Sequence, residues 1–582
     1  MKLYLFIIIY FSFNLAFAKD INFTILHTND LHSYIGGIGP DALFTKEAND
    51  GDPVLGHYSR LTTAIKLQKE KLKKVNEPYL LLDAGDFYAG TLFQLLGPDE
   101  KVPAIPELEF FTFNNYDFSI LGNHEFDAKD TGLYNMLNKI DAYKDNFKIL
   151  SSNMIFNNKN SPLKKFHQLY NGINHNKLLT DIYVKTITDG DNNLKVGFIG
   201  ILGPNAAKVS TVNRSDISFI GHNDKKVEDE FDKLYKHLQE KVDILRSKYK
   251  AEVIILTTHA GTPEDEMIAK NVDGIDVIIS GHTHDLYLKP KLINKSIITQ
   301  VKCYGNYLGT LSLKYKDNKL SVKDNKSYIE INDSIATDVE YDKKVDLYIN
   351  FINKKTKKYG YSYDSPIFKT SKTKKRIYNE SHNCVGKIVA TGIKQEFNLQ
   401  RNSKTEPVDF FFTTIGLIRS DILAPIKNTP YEFSDTFKFL PLGISADGGP
   451  GFPIVTFYMH KSDVRLLINF LEIYKNVSSK YNPVFSDDIK YQVNNWGIPQ
   501  LNRLKNLTLR DKEYDNWPNY IHVATTSYIA AHVDAVGPMT YGLVNFSAHD
   551  KNGKKVEKAQ YSNLKGFKLL SDYLKKLKKP LQ

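Results

Sequence analysis

Five times in the first half of this chain, a short apolar run stops at a turn carrying aspartate, asparagine or histidine. The runs are 21–26, 79–82, 118–121, 253–256 and 277–279. The turns beyond them hold Asp30-Leu31-His32, Gly85-Asp86, Gly122-Asn123-His124-Glu125, His259-Ala260-Gly261 and Gly281-His282-Thr283-His284. Aliphatic, β-branched segments bounded by turn formers read as buried strands. In open α/β sheets the groups that handle ligands gather just beyond the C-terminal strand ends. The pattern predicts an α/β fold whose strand ends share one site, with glycines beside the ligands for tight turns.

The side chains on those turns are metal donors. Asp30, Asp86 and Asn123 offer oxygen, and His32, His259, His282 and His284 offer imidazole. That mixture suits a pair of divalent transition ions better than calcium or a thiolate metal. Two ions roughly 3.5–4 Å apart can activate a water and neutralise a phosphoryl group together. Asp30 and His32, two apart, would face one ion if the backbone there is extended. Singly, an aspartate after a strand is a turn former, and a lone histidine is a hydrogen-bonded core residue. Their recurrence at five strand ends points instead to a phosphoester hydrolase.

Longer stretches around these residues carry a family resemblance. Ile25-Leu26-His27-Thr28-Asn29-Asp30-Leu31-His32, Gly85-Asp86, Leu121-Gly122-Asn123-His124-Glu125-Phe126-Asp127, His259-Ala260-Gly261 and Gly281-His282-Thr283-His284 follow in order. Gly56-His57-Tyr58-Ser59-Arg60-Leu61 lies between the first two. From residue 20 to about 315 the chain resembles the 5′-nucleotidase family of calcineurin-like metallophosphoesterases. The resemblance implies a four-layer α/β/β/α sandwich followed by a second mixed α/β domain. It also implies one divalent ion on Asp30, His32, Asp86 and His284 and another on Asp86, Asn123, His259 and His282. A hydroxide between the ions would attack phosphorus. His124 would stabilise the transition state or protonate the leaving oxygen, and Asp127 would fix its tautomer. Glu125 has no role in that chemistry. The metal stays open among zinc, manganese, iron and cobalt, with zinc or manganese favoured.

At 582 residues the chain exceeds one ordinary core. Residues 1–18, with Lys2, an apolar run over 3–13 and Ala16-Phe17-Ala18, read as a cleaved signal peptide. This predicts an extracytoplasmic protein, periplasmic or secreted, with no membrane anchor after cleavage. The basic C-terminus lacks the apolar tail of a lipid-anchor signal. A net charge of +11 is spread over lysine clusters at 71–74, 354–358, 372–376 and 575–579. No aromatic-interleaved basic stripe accompanies them, so nucleic acid is not the expected partner. The expected partner is a small-molecule phosphoester, with the oligomeric state left open. Cys303 and Cys384 are expected as two free buried thiols.

Residues 19–335 form the expected catalytic domain, with helices over 60–74 and 227–248 and a hairpin around 189–193. Residues 336–364 read as a linker helix carrying Val345, Leu347, Ile349, Phe351 and Ile352. A substrate domain follows over 365–582. There, Thr414-Ile415-Gly416-Leu417-Ile418-Arg419 stands where the family has a more glycine-rich motif, and Arg419 is the expected substrate contact. Phe439-Leu440-Pro441-Leu442-Gly443 has leucine where an aromatic is usual. Ser445–Gly451 reads as a flexible glycine-rich turn beside the pocket. After Thr526-Ser527-Tyr528-Ile529-Ala530, the segment His532-Val533-Asp534-Ala535-Val536 lacks both the glycines and the base-stacking aromatic. The leading expectation is hydrolysis of nucleoside 5′-phosphates. UDP-sugars, nucleoside di- and triphosphates, 2′,3′-cyclic nucleotides and non-nucleotide esters are alternatives on the same metals. A binding protein that has lost catalysis is the remote one.

Overall fold

The computed structural model describes residues 19–581 except 141–146, 173–176, 213–214, 223–226, 325, 377–383, 427, 444–448, 477–478, 495–502, 532–545 and 557–558. The signal-peptide segment, most of the glycine-rich turn at 445–451 and the 532–536 segment lie outside the described residues.

Two sheets build the first half. In the larger, the strands Lys319–Val322, Tyr307–Lys316, Asp20–Thr28, Tyr79–Asp83, Phe118–Ile120, Lys148–Leu150, Leu179–Thr180 and His167–Gln168 lie side by side in that order. In the smaller the order is Lys291–Ile293, Ser296–Thr299, Val277–Ser280, Val253–His259, Asn192–Leu202 and Ile182–Asp189. The last two pair antiparallel as the expected hairpin.

Alternation along each strand makes the layers. Ile21, Phe23, Ile25, Leu80, Leu82, Val253, Ile255, Val277 and Ile279 pack together between the sheets. Ile254, Leu256 and Ile278 point the other way, under Leu234, Leu238, Val242 and Leu245 of the helix Val227–Ser247. Leu26 and Leu81 lie under Tyr58, Leu61 and Ile65 of the helix Tyr58–Lys74. A period of two in the strands and about 3.6 in the helices therefore yields helix, sheet, sheet, helix. Arg60 on that helix is fully buried and structural, bound to Asp52 Oδ2 at 2.7 Å.

The helix Val339–Thr356 follows the sandwich, and it is more than a connector. Its buried stripe is Tyr341, Val345, Tyr348 and Ile352, which joins the core shared by both halves of the chain. Leu347, expected on the apolar face, is 50% exposed. Hydrophobicity alone favours 345, 347, 349, 351 and 352, whereas a 3.6-residue period selects 341, 345, 348 and 352.

Beyond it the strands Pro483–Phe485, Phe410–Thr414, Tyr520–Thr526, Pro453–His460 and Gln560–Lys565 form a second sheet system. The two halves are bound by buried polar contacts. Lys438 Nζ reaches Asp41 Oδ1 at 2.7 Å and Asp435 Oδ1 at 3.2 Å. Asp41 N–H donates to Asp435 Oδ1 at 3.0 Å, and Gln94 Nε2 donates to the Pro441 carbonyl at 2.6 Å. Both cysteines are free, but only Cys303 is buried; Cys384 is exposed. The expectation of two buried thiols fails because Cys384 opens the helix Cys384–Gln400, ahead of its first buried residue, Val385.

Candidate metal centre

The strands Asp20–Thr28, Tyr79–Asp83 and Phe118–Ile120 run parallel in the larger sheet. Val253–His259 and Val277–Ser280 run parallel in the smaller. Their C-terminal ends meet, and the ligand-bearing turns from both sheets close on one another. Donor atoms of Asp30, His32 and His284 fall within 4.8 Å of each other, as do those of Asp86, His259 and His282. His32, Asp86 and His124 form a third such group.

The turns achieve this with unusual backbone. Asp30, His32, Asp86, His282 and His284 all have φ between 50° and 78°, a region that costs a non-glycine residue about 1–3 kcal/mol. Asp30 and His32 are therefore not on an extended segment, contrary to the expectation. They converge because each sits in a left-handed turn with buried Leu31 between them. Backbone bonds between the turns hold the shape. Asp30 N–H donates to the Gly85 carbonyl and His32 N–H to the Asp86 carbonyl, both at 2.9 Å. Gly122 is required by packing, since a Cβ there would lie 2.2 Å from Asp86 Oδ1.

The imidazoles are oriented from behind. His32 Nδ1 lies 3.0 Å from the Ala89 carbonyl and His259 Nδ1 lies 2.8 Å from the Ala84 carbonyl. A ring that donates from Nδ1 presents the Nε2 lone pair to the centre. There, His259 Nε2 is 2.9 Å from Asp86 Oδ2 and His284 Nε2 is 3.2 Å from Asp30 Oδ1. His32 Nε2 stands 3.8 Å from Asp86 Oδ2 and 3.2 Å from His284 Nε2. Buried Asn123 Oδ1 has no hydrogen-bond partner among the described residues.

The electrostatics suit cations. Burial opposes charge on Asp30 and Asp86, yet the surrounding histidines hold both carboxyls below their ordinary range. Burial keeps His32 and His282 neutral, well below the usual imidazole value. Burial alone would lower His259 as well, but Asp86 and Asp30 push it up to about 10. Carboxylates, imidazoles and an unpartnered amide oxygen facing one buried space fit divalent metal.

His124 is held differently. Its Nδ1 lies 2.7 Å from Asp127 Oδ2, and its N–H donates to Asp86 Oδ1 at 2.8 Å. Burial disfavours its charge, but Asp127 and Asp86 outweigh that and raise its pKa. Glu125 is structural: its fully buried carboxyl group accepts from the amides of Gly122, Asp86 and Tyr88 at 2.5, 3.1 and 3.0 Å. Arg419, half-buried on the second domain, is close enough for its charge to bear on His32, His124 and His284.

Two neighbours were not foreseen. Tyr304 stacks on Tyr34 at 3.9 Å, and its ring is 5.6 Å from those of His32 and His284. Lys480, from the second domain, bears on Asp30, Asp86, His282 and His284. Neither belongs to a motif. Tyr304 is more than 200 residues from its stacking partner, which only folding brings near.

Residues 23–286 match the calcineurin-like phosphoesterase family. The chain carries a calcineurin-like phosphoesterase domain. Its metal-dependent hydrolase class agrees with the donor set.

Among curated proteins, the bovine 5′-nucleotidase is 27% identical over 340 residues, covering 55% of this chain and 51% of that protein. The Trifunctional nucleotide phosphoesterase protein YfkN of Bacillus subtilis (strain 168) is 26% identical over 358 residues, covering 58% of this chain and 21% of that protein. The match thus spans about half the length or less of these relatives. A solved structure, the 5′-nucleotidase precursor from Thermus thermophilus, superposes over 96% of this chain and 97% of its own. Its TM-score is 0.66 at 19% identity, so it shares the fold across both the phosphoesterase domain and the second α/β domain.

Proposed function

We propose that this chain is a dinuclear-metal phosphoester hydrolase that releases phosphate from nucleoside 5′-phosphates outside the cytoplasm. The observation that carries the reading is the meeting of six carboxylate and imidazole donors at the strand ends, beside a His124–Asp127 pair at 2.7 Å. Asp30, His32, Asp86 and His284 would hold one ion, and Asp86, Asn123, His259 and His282 the other. When bound, two such ions supply a water of lowered pKa and neutralise the phosphoryl oxygens.

The remaining work falls to the protein. Asp127 keeps His124 Nδ1 protonated, so Nε2 faces the substrate and can pass a proton to the leaving oxygen. Arg419 would grip phosphate by paired N–H donors. Nucleoside preference is supported by aromatic surface on the second domain. Tyr528 packs on Phe452 with ring centroids 5.0 Å apart, and it lies within electrostatic reach of Asp127 and Arg419. Such faces suit a nucleobase. The extracytoplasmic assignment rests on the pattern of residues 1–18. Among the described residues no helix is long and apolar enough to cross a membrane.

The test is phosphate release by protein lacking residues 1–18, with manganese or zinc, from AMP, UDP-glucose, a 2′,3′-cyclic nucleotide and p-nitrophenyl phosphate. A strong preference for AMP over the aryl ester is expected. Equal turnover of every ester would remove nucleoside recognition. A His124→Ala protein that keeps its metal and its full turnover would remove the assigned chemistry.

A further inference from the structure

The stretch 300–304 connects Ser296–Thr299 of the smaller sheet to Tyr307–Lys316 of the larger, and it ties two ligand-bearing turns to one another. Gln300, fully buried, closes the histidine turn: its Nε2 donates to the Gly281 carbonyl at 2.9 Å, and its Oε1 accepts from the Asp285 N–H. Lys302 N–H donates to the Asp285 carbonyl at 2.8 Å, and Tyr304 N–H donates to the Asp30 carbonyl at 2.7 Å. Lys302 and Tyr304 take left-handed backbone, with φ of 59° and 64°, which residues other than glycine adopt only where the surroundings hold them there.

Asn29 grips this stretch and the carboxylate of its own neighbour at once. It is 2% exposed. Its Nδ2 donates to the Lys302 carbonyl at 2.6 Å and to Asp30 Oδ2 at 2.7 Å, and its Oδ1 accepts from the Val301 N–H at 2.9 Å. Two acceptors and one N–H donor fix which way the amide points. The two oxygens of Asp30 thereby become unequal. The His282 N–H is shared between them, at 3.1 Å from Oδ1 and 3.0 Å from Oδ2, but only Oδ2 has the Asn29 donor. Oδ1 faces imidazole nitrogen: His284 Nε2 at 3.2 Å, His32 Nε2 at 3.9 Å and His259 Nε2 at 4.0 Å. The last torsion of an aspartate is soft, so a carboxylate keeps one oxygen turned inward only when its other oxygen is held.

We propose that Asn29 is a positioning residue: by holding Asp30 Oδ2 it leaves Oδ1 as the oxygen that Asp30 presents to a metal ion. This inference rests on the reading of the site as a dinuclear centre. Asn29 is not itself a donor to either ion, since its Oδ1 is taken by Val301. Asp30 belongs to the set with His32, Asp86 and His284 and not to the set with Asn123, His259 and His282. The effect of Asn29 therefore falls on one ion and spares the other.

The experiment titrates metal-free protein with cobalt, following visible absorption and competition with a chromophoric chelator, so that each ion gives its own affinity and spectrum. Asn29→Leu should weaken one of the two affinities by about 10- to 100-fold and alter the absorption of that step alone. Asn123→Ala should weaken the other step. Asn29→Ser, which keeps a hydroxyl donor beside Asp30, should lose less than Asn29→Leu. Unchanged affinities in Asn29→Leu, equal weakening of both steps, or weakening of the step that Asn123→Ala weakens would overturn the assignment. Should Asn29→Leu fail to fold, Asn29→Ser decides by the same criteria. A wild-type protein that binds fewer than two ions would instead defeat the dinuclear reading, and this one with it.

Discussion

His27 offers a sharp test of how the sandwich is built. It lies in the central strand Asp20–Thr28, on the same side as Ile21, Phe23 and Ile25, so its ring faces the space between the sheets. It is fully buried, and neither ring nitrogen has a partner among the described residues. Burial alone lowers its pKa from 6.5 to about 3. In the unfolded chain the ring would titrate near 6.5, so between those values the unfolded state binds more protons. Stability from this residue is then fully present above about pH 6.5 and is lost as pH falls toward about 3. The complete shift corresponds to about 5 kcal/mol, of which about 2 kcal/mol should be gone by about pH 5. Metal affinity and other histidines also change with pH, so the assay is a double difference. Urea unfolding is measured for the wild type and His27→Leu at about pH 7.5 and about pH 5, with metal held constant. Relative to wild type, His27→Leu should gain about 2 kcal/mol on going to the lower pH. If the difference between the two proteins is the same at both pH values, His27 is not a neutral, desolvated ring in the native state.

The other expectations are simpler. A Cβ on Gly309 would lie 2.1 Å from His27 Nε2. Gly309→Ala should therefore destabilise the protein by about 1–3 kcal/mol in urea unfolding, and recover when His27 is made smaller. Asp127→Asn should cut kcat by about 10- to 100-fold while metal content, read by elemental analysis, stays at the wild-type level. Lys438→Met leaves Asp41 and Asp435 buried without their cation. It should cost about 3–5 kcal/mol and separate the unfolding of the two domains in calorimetry. Removal of metal by a chelator should lower the melting temperature of the phosphoesterase domain, with reversal on adding manganese or zinc.

Much of the site was legible before any folding was considered, and the reason is local. A strand that ends in a ligand-bearing turn keeps both features within about ten residues, so apolar runs and donor types mark them without knowledge of partners. The spacing of His124 and Asp127 likewise anticipates the 2.7 Å bond between them, since three residues make one short helical turn. Local reading failed where the backbone was assumed. Asp30 and His32 converge through left-handed turns, which no alternation of residues announces. It failed again on the helix Val339–Thr356, where hydrophobicity favoured Leu347 but packing selected Tyr341 and Tyr348.

The sequence alone determined which chemistry was available: the donors, their attachment to strand ends and the period-two apolar pattern of the strands. It could not say that three of those strands belong to one sheet and two to the other, because strand pairing depends on contacts far apart in the chain. Tertiary structure decided that both sheets end at the same place, bringing Asp30 within reach of His284. It also brings the charges of Arg419 and Lys480 to bear on that cluster. Their partners lie in another domain, and a charge carries no local mark of what it will face. The approach of the Lys480 backbone to Gly416 and the ion pair of Lys438 with Asp41 likewise join residues far apart in the chain.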